Sequence, residues 1–257
     1  MAKKPDWVVD KEKTKRMDSR IWLFGIHAVR DALANPARSK RKLLCTKNAH
    51  HKLEDVIGNC PVEVFDPHRF HPPIDQGSVH QGAVLEVDVL NWGGIEDLHP
   101  EGTNDLLVLL DRVTDPHNVG AILRTAEVLG ARAVIAPHRH SAPETGALAK
   151  TASGALERQP YIQVPNLGNA MQDLKKMGYF LIGLDGEAQM TLADGIASTK
   201  QPIALVLGAE GPGMRERTMN ECDVIVKIPF ETDFGSLNVS NATAISLYAA
   251  RQARPKG

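Results

Sequence analysis

From Asp105 onward, short apolar segments alternate with amphipathic ones, and this alternation restricts the fold more than any other feature of the sequence. Leu106–Leu110 is an unbroken apolar run, typical of a strand that is buried on both faces of a sheet. Five more strands are predicted at Ala133–Ala136, Tyr161–Val164, Phe180–Leu184, Ile203–Leu207 and Val224–Ile228. The predicted helices are Val119–Leu129, Pro143–Leu156, Leu167–Met177, Met214–Cys222 and Val239–Arg251. The pattern predicts an α/β domain, with a mostly parallel sheet and helices on both faces.

Ahead of this alternation, the sequence predicts a leader, a small domain and a linker. Residues 1–20 are polar and rich in lysine, and we expect a disordered basic leader. Residues 21–90 predict a small α/β domain. Its elements are helices at Ile26–Leu33 and Leu53–Ile57 and strands at Lys42–Thr46, Val62–Phe65 and Ala83–Val89. Residues 91–104 contain a Gly-Gly pair, Pro100 and Gly102, which indicates an interdomain linker, so the second domain spans residues 105–257.

Charge is distributed unevenly along the chain, although the formal net charge is only −1. Residues 1–58 carry 14 lysines and arginines against 7 acidic residues, whereas residues 59–104 carry one arginine against 8 acidic residues. Basic segments such as Lys11–Arg20 and Arg38–Lys42 suit contacts with nucleic-acid phosphates. A solvated tail and a charged helix end give the same composition, so charge alone leaves both interpretations open.

Several classes of protein are disfavoured by the composition. No apolar run approaches the roughly 20 residues that span a bilayer, and Ile21–Phe24 is too short for the core of a signal peptide. We therefore expect a cytoplasmic protein with no membrane partner. Cys45, Cys60 and Cys222 match no zinc or redox spacing, so we expect no metal and interpret them as small core residues, with a catalytic cysteine as the lesser alternative.

The loop after the first strand of the second domain carries an unusual set of polar residues. It runs from Asp111 to Gly120 and contains no other glycine, so the G-x-G-x-x-G pattern of a dinucleotide site is missing. Asn118 precedes the predicted helix, and Arg124 follows six residues later among apolar residues. Taken singly, Asn118 is explained as a helix cap and Arg124 as an exposed side chain.

A second loop follows the predicted strand Ile203–Leu207. Gly208, Gly211 and Gly213 lie within six residues, which lets the backbone approach a ligand closely. Glu210 stands among them, and its negative charge argues against a phosphate cradle.

A third loop follows Ile228 and leads into the last helix. The polar residues Ser236, Asn238 and Ser240 crowd the start of this helix. Either Ser236 or Asn238 is sufficient as a cap, so the additional polar residues indicate a further role.

In this order, the three loops resemble the three motifs of the SpoU-type RNA ribose methyltransferases of the knotted SPOUT superfamily. The motifs are Asn118-Val-Gly-Ala-Ile-Leu-Arg124, Leu-Gly208-Ala-Glu210-Gly and Ile228-Pro-Phe followed by Ser236-Leu-Asn-Val-Ser, and the resemblance covers about residues 105–252. The stretch Phe24–Val29 resembles the start of a small RNA-binding domain found in ribosomal-RNA members. Phe230-Glu231-Thr232 departs from the family's usual Met-x-Gly, which puts the shape of the cofactor loop in question.

The resemblance implies a C-terminal trefoil knot, S-adenosyl-L-methionine as cofactor and a homodimer with its site near the subunit interface. It assigns main-chain contacts with the cofactor to Gly208, Ile228 and Leu237. The functional polar residues it implies are Asn118, Arg124, Glu210, Ser236 and Asn238. No metal is needed, because the methyl donor is already activated.

The implied reaction is the attack of a ribose 2′-hydroxyl on a sulfonium methyl group, which requires orientation of both groups and removal of the hydroxyl proton. Arg124 is the family's candidate for activating the hydroxyl. Because a guanidinium does not deprotonate readily, we favour Arg124 as a group that positions an RNA phosphate and stabilises the developing oxyanion. Action as a general base is the alternative.

The expected substrate is a guanosine of large-subunit (23S) ribosomal RNA, and it rests on the resemblance of the small domain to that of ribosomal-RNA members. Transfer RNA is the alternative substrate. A catalytically silent RNA-binding or ribosome-assembly protein of the same fold is a second hypothesis, which the loss of Asn118 or Arg124 would have favoured. A nucleotide-dependent metabolic enzyme is a third, and the missing glycine-rich phosphate loops argue against it.

Overall fold

The computed structural model describes residues 20–231 and 237–254. The predicted leader, apart from Arg20, and the candidate residue Ser236 lie outside the described residues. Contacts divide the chain into two units, one of residues 1–91 with 144–150 and one of residues 92–143 with 151–257. The contact-based division differs from the predicted one, because it places the linker with the second unit and residues 144–150 with the first. The predicted domain boundaries stay predictions.

The N-terminal unit contains a four-stranded sheet. Its elements are β1 (Arg20–Phe24), α1 (Ile26–Ala34), β2 (Lys40–Thr46), α2 (Lys47–Leu53), β3 (Val62–Phe65) and β4 (Ala83–Asp88). The strand order is β1-β4-β2-β3, with β4 antiparallel to β1 and β2 and with β3 parallel to β2. Phe24, Leu44, Phe70 and Val84 form one apolar cluster of this unit.

Two elements of this unit differ from the prediction. The helix predicted at Leu53–Ile57 is wrong, because the helix is α2 and ends at Leu53. Thr46 caps α2 by accepting a hydrogen bond from the Ala49 N–H, so the helix begins as soon as β2 ends. Strand β1 was not predicted, because its five residues contain too short an apolar pattern.

The predicted phosphate-binding segment Arg38–Lys42 is largely ion-paired within this unit. Arg38 is only 3% exposed and pairs with Glu144. Arg41 pairs with Asp88, and hydrogen bonding to that carboxylate raises the pKa of Arg41. Arg38 is therefore a structural cation and is not accessible to RNA phosphates.

The C-terminal unit contains seven strands, and each neighbouring pair is parallel. The strands are β5 (Leu106–Asp111), β6 (Ala133–Pro137), β7 (Tyr161–Val164), β8 (Phe180–Leu184), β9 (Met190–Thr191), β10 (Ile203–Gly208) and β11 (Val224–Lys227). The helices are α3 (Pro116–Val128), α5 (Leu167–Lys176), α6 (Leu192–Ala197), α7 (Glu216–Glu221) and α8 (Val239–Ala253). Between α3 and α5 lies α4 (Gly146–Ala152), whose residues 146–150 belong to the first unit. The strand order is β7-β6-β5-β10-β8-β11-β9. The predicted mostly parallel α/β fold is confirmed.

All six strands predicted for this unit are present, and two short elements were missed. These are β9, which has two residues, and α6, which has six. The helix predicted at Pro143–Leu156 is wrong, because α4 ends at Ala152. Ser153 and Gly154 have φ values of 50° and 88°, which interrupts the helix before a 3₁₀ turn at Ala155–Glu157. In the described residues, no helix is both long enough and apolar enough to cross a membrane.

Asp111 connects the end of β5 to the segment that follows β10. Its buried carboxylate accepts hydrogen bonds from the Arg215 N–H at 2.9 Å and from Thr218 Oγ1 at 2.7 Å, and it pairs with the Arg215 guanidinium at 2.7 Å. Burial by itself raises the pKa of Asp111, but these hydrogen bonds and the charge of Arg215 outweigh it and hold the pKa below its ordinary value. Asp111 therefore fixes the loop after β10 while it stays ionised.

We expect Asp111→Asn to lower the free energy of unfolding by about 3 kcal/mol, the lower end of the range for a broken buried ion pair, because water reaches the half-exposed Arg215. Since the folded-state pKa is lowered, the stabilisation is full above the ordinary aspartate pKa of about 4 and is lost as the pH falls through the folded-state value. Urea unfolding of both proteins at neutral and acidic pH measures this.

The matched control is Asp115→Asn, because asparagine caps a helix as well as aspartate does and Asp115 caps α3. The difference in the free energy of unfolding between the wild type and Asp111→Asn should become smaller at acidic pH. Equal stability of the two proteins at pH 7 would show that the ion pair does not stabilise the fold.

Candidate active site

The candidate site lies where the chain reverses its order across the parallel sheet. Strands β6 and β7 extend to one side of β5, while β10, β8 and β11 extend to the other. Ligands of open parallel sheets bind beside the carboxyl ends of the strands at such a reversal. The three polar loops identified in the sequence follow β5, β10 and β11, so all three lie at this edge.

The first turn of α3 presents Asn118 to the site and does not use it as a cap. The helix begins at Pro116, and Asp115 caps it by accepting a hydrogen bond from the His117 N–H at 2.9 Å. The expectation that Asn118 precedes the helix is therefore wrong, because the Asp-Pro pair starts the helix three residues earlier than predicted. The Asn118 side chain is left available for contacts outside the helix.

Asn118, Glu210 and Asn238 form one hydrogen-bonded cluster. The Asn118 Nδ2 donates to Glu210 Oε1 at 3.0 Å. The Asn238 Nδ2 donates to Asn118 Oδ1 at 2.9 Å and also to Glu210 Oε1. The N–H of Val239 adds a longer hydrogen bond to the same carboxylate oxygen, at 3.4 Å. One residue from each of the three loops thus meets in what we call the polar cluster.

Asn238 has two roles at once, which explains the excess of polar residues at the start of α8. Its Oδ1 caps the helix by accepting hydrogen bonds from the N–H of Ser240 at 2.9 Å and of Asn241 at 3.4 Å. The Ser240 hydroxyl donates to the same oxygen. Because these contacts fix the orientation of the amide, its Nδ2 points into the polar cluster.

Arg124 lies apart from the polar cluster. It is exposed on α3, and in the described part of the chain its guanidinium makes no hydrogen bond or ion pair. Six residues along a helix amount to about 9 Å of rise and about 240° of rotation, so Arg124 and Asn118 face different directions. The structure does not join Arg124 to the other candidate polar residues, and Ser236 lies outside the described residues.

A cavity of about 380 Å³ opens beside the polar cluster, and we call it the cofactor cavity. The predicted cofactor-binding residues Gly208, Ile228 and Leu237 all line it, and so does Glu210. The volume falls within the roughly 300–1,000 Å³ of typical small-molecule sites. The structure therefore brings the three residues together, while their contact with a cofactor stays a prediction.

Gly208 occupies a position with no room for a side chain. A Cβ at this residue would lie 2.1 Å from the carbonyl carbon of Gly213 and 2.1 Å from the nitrogen of Met214. The residues after β10 fold back, and Ala209 and Gly213 form an isolated β-bridge. Glycine is needed at position 208 because the backbone of Gly213 and Met214 packs directly against it, whether or not a ligand also approaches.

We expect Gly208→Ala to lower the melting temperature by about 5 °C, because the clash forces the backbone of the turn apart. Affinity for S-adenosyl-L-methionine should fall more than about tenfold, since the same turn lines the cofactor cavity. Thermal melts and calorimetric titration measure both effects. Gly102→Ala is the matched control, because a Cβ there meets no atom within 4 Å. If Gly208→Ala binds S-adenosyl-L-methionine with unchanged affinity, this turn does not contribute to cofactor binding.

Sequence reasoning missed two acidic residues of the cofactor cavity, Asp185 and Glu187. Asp185 and Glu187 follow β8, and Phe230 follows β11. A signal was available for the first two, because acidic residues after a predicted parallel strand lie at the edge that binds ligands. Phe230, in the departure from the usual motif, is 37% exposed and forms part of the cavity wall.

The cysteines are not suited to nucleophilic catalysis. Burial raises the pKa of the Cys45 and Cys60 thiols, and it raises that of Cys222 to about 12. A thiolate is the reactive form, so the raised pKa values disfavour nucleophilic action by these thiols near neutral pH. Within the described residues, no group of three or more His, Cys, Asp or Glu is placed to hold a metal ion.

Comparison with known proteins identifies the family. The model of the SpoU rRNA Methylase family matches residues 105–248, which include Asn118, Arg124, Glu210 and Asn238. The chain belongs to the SpoU rRNA methylase family. A second family model, described as RNA 2′-O ribose methyltransferase substrate binding, matches residues 22–92.

Other SpoU proteins resemble this chain over nearly its whole length. The 23S rRNA (guanosine-2′-O-)-methyltransferase RlmB of Vibrio parahaemolyticus is 37% identical over 246 residues, which cover 92% of this chain and 98% of the relative. The RlmB of Ralstonia nicotianae is 39% identical over 240 residues, which cover 90% of this chain and 95% of the relative. The sequence resemblance to the SpoU-type methyltransferases is confirmed.

Solved SpoU structures share the fold. The SpoU methyltransferase AviRb from Streptomyces viridochromogenes, in complex with the cofactor AdoMet, has a TM-score of 0.78 and 25% identity, and the match covers 94% of this chain and 93% of AviRb. The TrmH/SpoU tRNA modifying enzyme of A. aeolicus has a TM-score of 0.52 and 26% identity, and the match covers 59% of this chain and 76% of that enzyme. The predicted trefoil knot stays a prediction.

Proposed function

We propose that this SpoU protein transfers a methyl group from S-adenosyl-L-methionine to the ribose 2′-hydroxyl of a guanosine in 23S ribosomal RNA. The observation that carries the proposal is the polar cluster of Asn118, Glu210 and Asn238 beside the cofactor cavity. The choice of 23S ribosomal RNA and of guanosine in this proposal comes from the RlmB relatives, whose names state that activity.

The cofactor cavity suits S-adenosyl-L-methionine in charge as well as in size. Asp185, Glu187 and Glu210 line it, and their charges favour a cationic ligand and disfavour a phosphate group. The tight turn at Gly208 brings main-chain groups to the cavity wall, where they serve as hydrogen-bonding partners for an adenosyl group. The cofactor supplies an activated methyl group on a sulfonium centre. The protein therefore has to bind the cofactor and the RNA, orient the methyl group and the ribose hydroxyl, and allow the hydroxyl proton to leave.

The polar cluster orients the reacting groups. Glu210 uses one carboxylate oxygen to hold the amides of Asn118 and Asn238, which fixes their positions relative to the cavity. We propose that Arg124 binds an RNA phosphate and stabilises the negative charge that develops on the ribose oxygen while the hydroxyl proton passes to solvent water. Its action as a general base is the alternative, disfavoured because a guanidinium stays protonated. We assign a supporting polar role to Ser236 on the family resemblance alone.

We propose that the protein works as a homodimer in the cytoplasm, with each site near the subunit interface. Arg124 faces a different direction from Asn118 on α3, which supports a site completed by a second copy. A homodimer by light scattering at micromolar concentration is the expected result. A monomer that methylates RNA at full rate would contradict it.

Transfer RNA is the second candidate substrate. The N-terminal unit disfavours it, because the tRNA modifying enzyme of A. aeolicus matches only 59% of this chain, whereas the RlmB relatives match nearly all of it. An additional domain that holds structured RNA is physically reasonable, because RNA is recognised largely by shape and by its single-stranded segments. A catalytically silent RNA-binding protein is disfavoured because Asn118 and Arg124 are both present.

Mapping of 2′-O-methyl groups in cells tests the proposal. Ribosomal and transfer RNA from cells with and without the gene are compared at single-nucleotide resolution. We expect one guanosine of large-subunit RNA to lose its methyl group in the deletion strain and to regain it when the gene is restored. Loss confined to transfer RNA, or no loss at all, would overturn the assignment.

We expect a fragment without residues 1–91 to keep its affinity for S-adenosyl-L-methionine within a few fold, because the described residues that line the cofactor cavity all fall between Leu184 and Ala242 in the sequence. Affinity for ribosomal RNA should fall at least about tenfold, since the unit with the substrate-binding match is missing. The fragment should carry Glu144→Gln, because the deletion removes its partner Arg38. Calorimetry and filter binding measure the two affinities, and RNA binding at wild-type strength would contradict the proposed role of the N-terminal unit.

A further inference from the structure

A small cavity with a basic lining opens at the carboxyl edge of β5, β6 and β7, apart from the cofactor cavity. We call it the basic cavity, and its volume is about 150 Å³. Its charged and titratable lining residues are Arg112, Arg139, His140, Arg215 and Arg217. Among the described residues that line it, none is acidic. The cavity accommodates only a small group, because drug-sized ligands occupy roughly 300–1,000 Å³.

Three of the four guanidinium groups are not neutralised by any residue that the structure describes. Arg215 pairs with Asp111. By contrast, Arg112, Arg139 and Arg217 are exposed and make no ion pair in the described part of the chain. Like charges that converge on one small cavity repel one another, and a bound anion relieves that repulsion. The basic cavity therefore has a net positive charge that favours an anion.

Two residues of the basic cavity have strained backbone conformations. Arg112 has a φ of 63° and His140 a φ of 62°, in the left-handed region that side chains other than glycine disfavour. In the described residues only two other non-glycine residues, Gln81 and Ser153, have a positive φ. Strain of this kind is typical of ligand-binding positions, where the conformation aims a side chain.

Arg217 adds a second electrostatic observation. A Cβ built on Gly168 would lie 3.4 Å from Arg217 Nε and 3.8 Å from Arg217 Nη2, so the guanidinium lies across the start of α5. The amino end of this ten-residue helix carries a partial positive charge. Two positive groups thus lie side by side at the cavity, and an anion bound in the cavity is attracted by both.

We propose that the basic cavity binds one phosphate group of the RNA backbone near the target nucleotide. The inference rests on the proposed function, because only residues 211–214 of the chain lie between Glu210 of the polar cluster and Arg215 of the basic cavity. The guanidinium group of one arginine donates two parallel hydrogen bonds to a phosphate. Three such groups around a small cavity suit a tetrahedral anion. RNA is held here by its charge, with no selection of base.

The test uses Arg112→Gly, Arg139→Gln and Arg217→Gln in the full-length protein. We expect each change to weaken the binding of unmodified 23S ribosomal RNA by about tenfold and to raise the KM for this RNA by the same factor. Both kcat and the affinity for S-adenosyl-L-methionine should stay within about twofold. Arg112→Gly also relieves the positive φ, so its melting temperature should be unchanged or higher, and a loss of RNA affinity there is not a failure to fold.

Because the three arginines share one phosphate, their effects should not add. In the triple variant, the plot of log affinity against log salt concentration should have a slope that is less negative by about one, which is the value for one phosphate contact. The matched control is Lys200→Gln, which removes one positive charge from an exposed residue just before β10, at the opposite edge of the sheet. If the three variants bind RNA as Lys200→Gln does, the proposal is wrong.

Inorganic phosphate separates an RNA site from a site for free phosphate. We expect it to shift the Nε resonance of Arg217 and to compete with RNA in the wild type. If it shifts that resonance while the variants keep wild-type RNA affinity, the basic cavity serves free phosphate and the proposal is wrong. If the three variants weaken RNA binding but the wild type methylates no RNA, the proposed function fails, and of this inference only the binding of an RNA phosphate in the basic cavity stands. A wild type with no affinity for ribosomal RNA contradicts both.

Discussion

Arg124→Ala is expected to lower kcat for RNA methylation by about a thousandfold, while affinity for S-adenosyl-L-methionine stays within a few fold. The reason is that the guanidinium of this residue in the first SpoU motif makes no ion pair with the described residues, and removal of a group that stabilises a developing oxyanion costs about this factor. Arg124 does not line the cofactor cavity, so cofactor binding has no cause to change. Single-turnover transfer of labelled methyl groups to ribosomal RNA, together with calorimetry, measures the two quantities.

Arg124→Lys is the informative companion variant. Lysine keeps the positive charge but loses the planar fork, so a positioning role predicts partial activity, about a tenth of wild type or less. An ordinary lysine also loses its proton more readily than arginine, so a general base at this position predicts a rate that rises steeply with pH in the variant. A wild-type rate in Arg124→Ala would make Arg124 an ordinary surface residue and would remove it from the mechanism.

Glu210→Ala is expected to lower kcat/KM by more than about a hundredfold, because it removes the acceptor that holds Asn118 and Asn238. Glu210→Gln should recover much of the activity, since its amide oxygen still accepts one of these hydrogen bonds. The pair of variants separates positioning from proton transfer. Equal inactivity of both variants would show that the negative charge of Glu210 is itself required. Full activity of Glu210→Ala would exclude the polar cluster from the mechanism.

The strands of the C-terminal unit were predictable because each is a nearly continuous apolar run. β7 and β8 begin and end where the sequence predicts. The helix errors have local causes that hydrophobic periodicity does not report. The left-handed residues Ser153 and Gly154 stop α4 within an apolar stretch, and Thr46 starts α2 directly after a strand.

The site was predictable in its composition but not in its geometry. The resemblance supplied Asn118, Glu210 and Asn238, and the structure joins them through hydrogen bonds. Which residues meet depends on strand order, because β10 pairs with β5 although β6, β7, β8 and β9 lie between them in the chain. Sequence spacing carries no information on that order.

The same limitation explains the features that sequence reasoning missed. The lining of the basic cavity comes from loops after β5, β6, β7 and β10, and no single stretch of sequence is conspicuously basic there. The charge pattern instead offered two segments, Lys11–Arg20 and Arg38–Lys42. The first lies outside the described residues except for Arg20, and in the second Arg38 is buried and paired with Glu144. Exposed and unpaired charge, which decides where RNA phosphates bind, is a property of the folded chain.

Methyl transfer by the purified protein to isolated RNA tests the central claim most directly. Unmodified 23S ribosomal RNA, ribosome assembly intermediates and transfer RNA are incubated separately with the protein and labelled S-adenosyl-L-methionine, and the labelled nucleotide is identified after digestion. We expect 2′-O-methylguanosine, at one position, in the ribosomal RNA or its assembly intermediates alone. Label only in transfer RNA, label on a base or on a pyrimidine ribose, or no transfer to any of the three would contradict the account.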